Sequence, residues 1–246
     1  GILVFARVIT DWLWFVELGY PSLFIQPVVW QLATGAGAAL VALIFVALNL
    51  AIASRAGGGV SQRWEDRQPW GAAGRWSRRA AILGALLAAL VAGVSFANQW
   101  STVVMGIAGG EFGVVDPLFG LDAGFYIFRL PLLELVQAFA LGLLVFTALG
   151  AGVIYVASGA LAAEGPRVRL TGRARAHLAT LLALAAAVHA AGYRLSAYEL
   201  VYSTRGGVYG AGYTDVHATL PALWVMTAAS LFVAVALVAY AIRPRL

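Results

Sequence analysis

The sequence predicts an all-α, polytopic integral membrane helix bundle, and three observations carry that prediction. Hydrophobic residues make up 62% of the chain and charged residues only 11%, whereas a soluble domain averages about 25% charged. Several apolar runs reach the ~18–20 residues needed to cross a bilayer. The remaining charge is sorted by loop, with Arg in some connections and aromatic rings with Asp and Glu in the others.

The elements follow in order. The opening run, 1–9, is too short to cross and lacks a signal-peptide layout, so it is expected to be the tail of a truncated first span. Thr10–Phe24, dense in aromatics and carrying Asp11 and Glu17, is expected to be a loop. Spans are expected over 28–53, 80–97, 131–157, 177–193 and 218–242, giving about six in one transmembrane domain covering 1–246. Gly35 and Gly37 would let another helix approach the first complete span. Pro131 suits a first helical turn, and Glu134 suits the positive end of that helix. No convincing internal repeat is visible, so the inverted-repeat design of many transporters has no support.

Loop charge sets the expected orientation. One connection carries Arg55, Arg63, Arg67, Arg75, Arg78 and Arg79, a second carries Arg167, Arg169, Arg173 and Arg175, and the chain ends at Arg243 and Arg245. These three fall on one side of the predicted spans. By the positive-inside rule that side is expected to be cytoplasmic and the aromatic, acidic loops extracytoplasmic. The net charge of +5 therefore reads as topology and points to no nucleic-acid partner. Cysteine is absent, which excludes a disulfide framework, a thiol nucleophile and Cys-ligated metal.

Gly110–Pro131, GEFGVVDPLFGLDAGFYIFRLP, organises the rest. It is too rich in Gly, Pro and Asp for a span, yet it holds Phe112, Phe119, Phe125, Tyr126 and Phe128. Aromatic rings settle at headgroup level, and Asp116-Pro117 with Gly113, Gly120 and Gly124 can hold the turns. With TDWLWFVELGY (Thr10–Tyr20) and GAGYTDVHATLPAL (Gly210–Leu223), the FGVVDPLFGLDAGFYIFRLP string (Phe112–Pro131) resembles the N-terminal membrane portion of a large bacterial family, the uncharacterised protein family UPF0182. The resemblance covers nearly the whole chain. It implies about seven spans followed by a large domain outside the membrane, so the chain is expected to be the front of a longer protein or a shortened member. It implies no reaction.

Candidate sites are few. Asp116, Asp122, Asp215 and His217 could supply an oxygen- and nitrogen-rich metal site on the outer face; alternatively, the three Asp cap turns and helix starts. His189 lies inside a predicted span among Ala and Gly. The room beside it suits either a tetrapyrrole with His189 as axial ligand or a close-packed helix with His189 hydrogen-bonded across the contact. No other cofactor is expected. Hydrolase elbow, phosphate-loop, zincin and dinucleotide motifs do not occur in the sequence. Phe119, Phe125, Tyr126, Tyr198 and Tyr202 are candidate interface residues, since Tyr and Phe are enriched at protein contacts.

The expected function is a non-catalytic scaffold or accessory subunit, with the lipid bilayer and other membrane-protein subunits as partners. The alternatives are a transporter or flippase-like handler of lipid or apolar substrate, and an outer-face metal-dependent enzyme.

Overall fold

The computed structural model describes residues 2–61, 73–164, 167–204 and 209–243. Arg63, Arg67 and Arg245, three of the Arg assigned to the basic side, lie outside the described residues. The chain folds as an all-α bundle: α1 (Ile2–Glu17), α2 (Pro21–Ser61), α3 (Ala73–Asn98), α4 (Trp100–Ala108), α5 (Leu130–Ala157), α6 (Gly172–Glu199) and α7 (Leu220–Ile242). A short antiparallel hairpin, β1 (Leu161–Glu164) with β2 (Arg167–Leu170), joins α5 to α6.

Five helical stretches are long and apolar enough to cross a membrane: Pro21–Arg55, Arg79–Asn98, Phe125–Ala157, Gly172–Tyr202 and Asp215–Ile242. Each contains one of the complete spans read from the sequence. The expected loop at Thr10–Phe24 is instead two helices separated at Leu18, Gly19 and Tyr20, with Gly19 at φ +76° making the reversal. Trp12 and Phe15 lie one turn apart on α1 and both rings meet Phe24 of α2, at 5.6 and 6.0 Å. Their spacing serves a helical face rather than a loop.

Neighbouring helices run antiparallel. Gly35 of α2 lies against Gly93 and Ala97 of α3, while Leu50 lies against Gly84, so α2 and α3 pack backbone to backbone along their length. Between α5 and α6, Gln137 reaches Val188 and Tyr155 reaches His177. Between α6 and α7, Arg194 sits over Trp224 and Arg175 bonds the Arg243 carbonyl. These contacts put residues 99–124 and 209–214 at one end of the bundle and the β-hairpin at the other.

The main core lies toward the hairpin end. Val46, Leu50 and Ala53 of α2, Ala85 of α3, and Leu144, Ala151 and Tyr155 of α5 close around one another. Ala on α2 and α3 lets the helices approach, and Leu50 fills the space over Gly84 and Gly150. α7 packs on α6 and leaves most of its surface outward, as suits a helix facing lipid or another segment.

α5 and α7 begin with the same device. Phe125–Arg129 and Asp215–Thr219 are single π-helical turns, and each runs into Leu-Pro, at Leu130-Pro131 and Leu220-Pro221. A Pro near the start of a helix lacks an N–H and crowds the carbonyl four residues earlier. The wider turn moves that carbonyl aside: Leu130 bonds back to Phe125 O and Leu220 to Asp215 O, five residues each. Sequence inspection found no repeat, because the two segments share little beyond the Leu-Pro pair.

Candidate functional site: a knotted aromatic cap

The cap is built around two carboxylates. Asp116 Oδ1 accepts the Leu118 and Phe119 N–H groups at 2.8 and 2.7 Å, and Oδ2 accepts the Leu121 N–H at 2.8 Å and the Tyr126 hydroxyl at 2.7 Å. Pro117 presets the turn that presents those amides. Gly120 closes it at φ +69°, a conformation that disfavours any other residue. Asp122 Oδ1 accepts the Phe112 and Gly124 N–H groups at 2.9 and 2.7 Å. An isolated antiparallel bridge, Val115 to Asp122, lies between the two knots.

These bonds decide the ionisation of both groups. Burial alone would raise the Asp116 pKa, but the bonds from Phe119, Tyr126, Leu121 and Leu118 outweigh it and hold the carboxyl below 3.8. The Phe112 and Gly124 amides do the same for Asp122. Both are carboxylates at neutral pH, Asp116 bonded through both oxygens and Asp122 through Oδ1 to the chain's own donors.

The cap is seated by close contact. A Cβ on Gly109 would overlap the Phe128 ring, and one on Gly124 would overlap the Gly110 carbonyl. Phe112 stacks on Phe128 at 5.8 Å. Phe119 and Phe125 meet Tyr198 of α6 edge-on at 5.0 and 5.3 Å. Arg194, one turn before Tyr198, lies 5.1 Å from that ring and 4.1 Å from Trp224 of α7. One continuous series of contacts thus runs from Asp116 through Tyr126 and Phe125 to α6 and α7.

The residues singled out in the sequence fare differently. Among the described residues no group of three or more His, Asp or Glu side chains is placed to hold a metal ion. Asp116 and Asp122 are bound to backbone amides. Asp215 is buried, accepting the Gly212 N–H at 3.1 Å, and His217 stacks on Tyr213 with Nδ1 3.0 Å from its carbonyl. All three Asp therefore act as turn and helix-start acceptors. His189 is exposed on the outside of α6, with Nε2 3.1 Å from the Tyr193 hydroxyl on the same helix. Its bond runs along its own helix, to the residue one turn on. A cofactor at this position would sit on the flank of the bundle.

Of the five candidate interface aromatics, Tyr126 is only 8% exposed and is bonded to Asp116, so it is not available to a partner. Phe119, Phe125 and Tyr198 are half-buried against one another, and Tyr202 is exposed. The rings that face outward most are Tyr209, at 87%, and Tyr213, at 79%.

Two polar groupings escaped the sequence reading. His177 bridges Tyr155 Oη at 2.8 Å and Asn49 Oδ1 at 3.1 Å, tying α2, α5 and α6 together. Asn49 gives its amide N–H to Phe45 O, so its oxygen faces the ring and Nε2 carries the proton. At the other end, Glu134 of α5 is hydrogen-bonded to Glu199 of α6 and keeps Oε1 buried without a partner. Neither grouping has a spacing signal, since its members lie on different helices far apart in sequence.

The description of the matching family is Uncharacterised protein family (UPF0182), and the match covers residues 1–246. Among curated relatives, a UPF0182 protein of Pelobacter propionicus is 35% identical over 229 residues, covering 89% of this chain and 25% of the relative. One from Geobacter sp. strain M21 is 36% identical over 230 residues, covering 89% and 25%. One from Salinispora tropica is 33% identical over 251 residues, covering 94% and 24%. The chain thus spans about a quarter of the length of the curated relatives it matches. No solved structure matches it. A family match over residues 1–246, on a helical bundle that carries the DPLFG knot, establishes that the chain belongs to the uncharacterised protein family UPF0182.

Proposed function

We propose that this chain is a non-catalytic membrane scaffold or accessory subunit, whose aromatic end docks other subunits of a bacterial inner-membrane complex. The Arg-rich connections face the cytoplasm and the cap faces outward, following the positive-inside rule. The observation that carries the reading is the cap itself. Six hydrogen bonds to Asp116 and Asp122 fix a loop that would otherwise be mobile, and a preorganised loop loses little entropy on binding. Phe119, Phe125 and Tyr126 set the platform from within, while Tyr202, Tyr209 and Tyr213 supply exposed rings beside it.

Gentle detergent extraction followed by native mass measurement tests the proposal. A stoichiometric protein partner is expected with the wild type and is expected to be lost when Tyr202, Tyr209 and Tyr213 are changed to Ala together. A wild-type chain that runs alone, or a partner that survives the triple change, overturns it.

A further inference from the structure

Glu134 and Glu199 meet at the cap end of the bundle, one on α5 and the other on α6. Glu134 lies one turn beyond the Leu130-Pro131 start of α5. Gln137, on the next turn, packs against Gly192 and bonds the Val188 carbonyl, so the two helices are in close contact here. Glu134 is hydrogen-bonded to Glu199 across that contact. Glu199 ends α6 and is exposed. The short turn Leu200–Tyr202 follows it, and Tyr202 lies within electrostatic range of both carboxyls.

An ionised carboxylate only accepts hydrogen bonds, so two of them cannot bond each other. One proton has to lie between them. Burial points the same way, because Glu134 Oε1 is closed to solvent and meets no N–H or O–H donor. A charge left in that position would be costly, whereas a protonated carboxyl has no charge to bury. The surrounding elements leave the pair to itself. Arg194, on the same helix as Glu199, is turned toward Trp224 of α7 at 4.1 Å. Residues 21–54 of α2 and 80–108 of α3 and α4 contain no titratable side chain. The π-turn before α5 carries Tyr126, bonded to Asp116, and Arg129, which is exposed. At the start of α7, Asp215 accepts the Gly212 N–H and His217 lies on Tyr213.

We infer that Glu134 and Glu199 hold one proton between them, and that this shared proton clamps the cap ends of α5 and α6 together. Glu199 is the member open to water, so it gives the proton its way in and out. When the proton leaves, two carboxylates face each other and repel. Tyr198, adjacent to Glu199, is the residue on which Phe119 and Phe125 pack. Parting the two helices therefore draws Tyr198 away from the cap. The seating of the cap answers to proton activity on its own side of the membrane.

Infrared spectroscopy of the chain in nanodiscs at neutral pH reads protonated carboxyl groups directly, through their C=O stretch. The wild type is expected to show a carboxylic-acid signal that Glu134→Gln and Glu199→Gln each remove. In either variant the Gln amide supplies an N–H in place of the shared proton and leaves the remaining carboxyl ionised. Glu199→Gln changes an exposed side chain, so it tests the pair even if Glu134→Gln fails to fold. On raising the pH, the wild-type signal is expected to disappear while amide exchange at Phe119 and Tyr198, corrected for its intrinsic pH dependence, accelerates. Glu134→Gln is expected to show no such acceleration. A wild type without the acid signal, as a metal cation bridging two ionised carboxylates would give, overturns the proposal. So does a signal that survives both changes, as one from Asp215 would, or exchange that accelerates equally in the wild type and Glu134→Gln.

Discussion

Tyr126 donates its hydroxyl proton to Asp116 Oδ2 at 2.7 Å, and this bond joins the tip of the loop to the π-turn that opens α5. The remaining bonds to Asp116 lie within five residues of it. The Tyr126 contact is the one that converts a local turn into part of the bundle.

Tyr126→Phe removes that bond and little volume. A hydrogen bond to a charged group contributes ~1.5–3 kcal/mol, and the lower end applies because Asp116 is only partly buried. The expected result is faster hydrogen exchange at the Leu118, Phe119 and Leu121 amides, with exchange in the middle of α5 unchanged.

Acid should loosen the cap, and the direction follows from the two carboxylates. Both are held below 3.8 in the folded chain, so the unfolded chain takes up protons first as pH falls. The stability they give is fully present above the ordinary aspartate range and is lost as pH drops through their folded values. Limited proteolysis between Gly110 and Gly124 should therefore be flat from neutral pH to about 5 and rise below about 3.8. A rise centred near pH 6 would contradict the assignment.

Gly124→Ala places a methyl group against the Gly110 carbonyl, and Gly109→Ala places one in the Phe128 ring. Neither obstacle is the free end of a flexible chain. Each variant should cost about 1–3 kcal/mol through backbone displacement and lower the thermal midpoint. Gly110→Ala, with open space around it, should not.

Thr147 is fully buried in α5, and its hydroxyl has no partner. Burying an unmet polar group costs about 1–3 kcal/mol. Thr147→Val keeps the branched shape and removes the penalty, so the thermal midpoint of the purified protein should rise.

Hydropathy made the spans legible because each complete span had to bury its own backbone polar groups in a helix. The DPLFG string was legible as an ordered aromatic loop because Asp, Pro and Gly at turn positions have few other uses. What failed was contact across helices. Tyr198 and Phe119 meet through folding alone, as do His177 and Asn49. Which way His189 faces was not legible, because Ala and Gly neighbours fit a packed face and an open flank equally well. The hairpin had a cue, since Gly165-Pro166 between Leu161 and Leu170 is a turn signal, but the surrounding Arg residues read as a plain basic loop.

The π-turns make chain length at two places a quantity under constraint. One residue turns an α-helix by about 100°. Deleting Ile127 would restore ordinary helical winding and swing everything before it around the axis of α5. Phe119 would then leave Tyr198 while the Asp116 knot travelled intact. The aim of each outer loop is thus set by a count of residues, so a one-residue deletion there should do more harm than most substitutions.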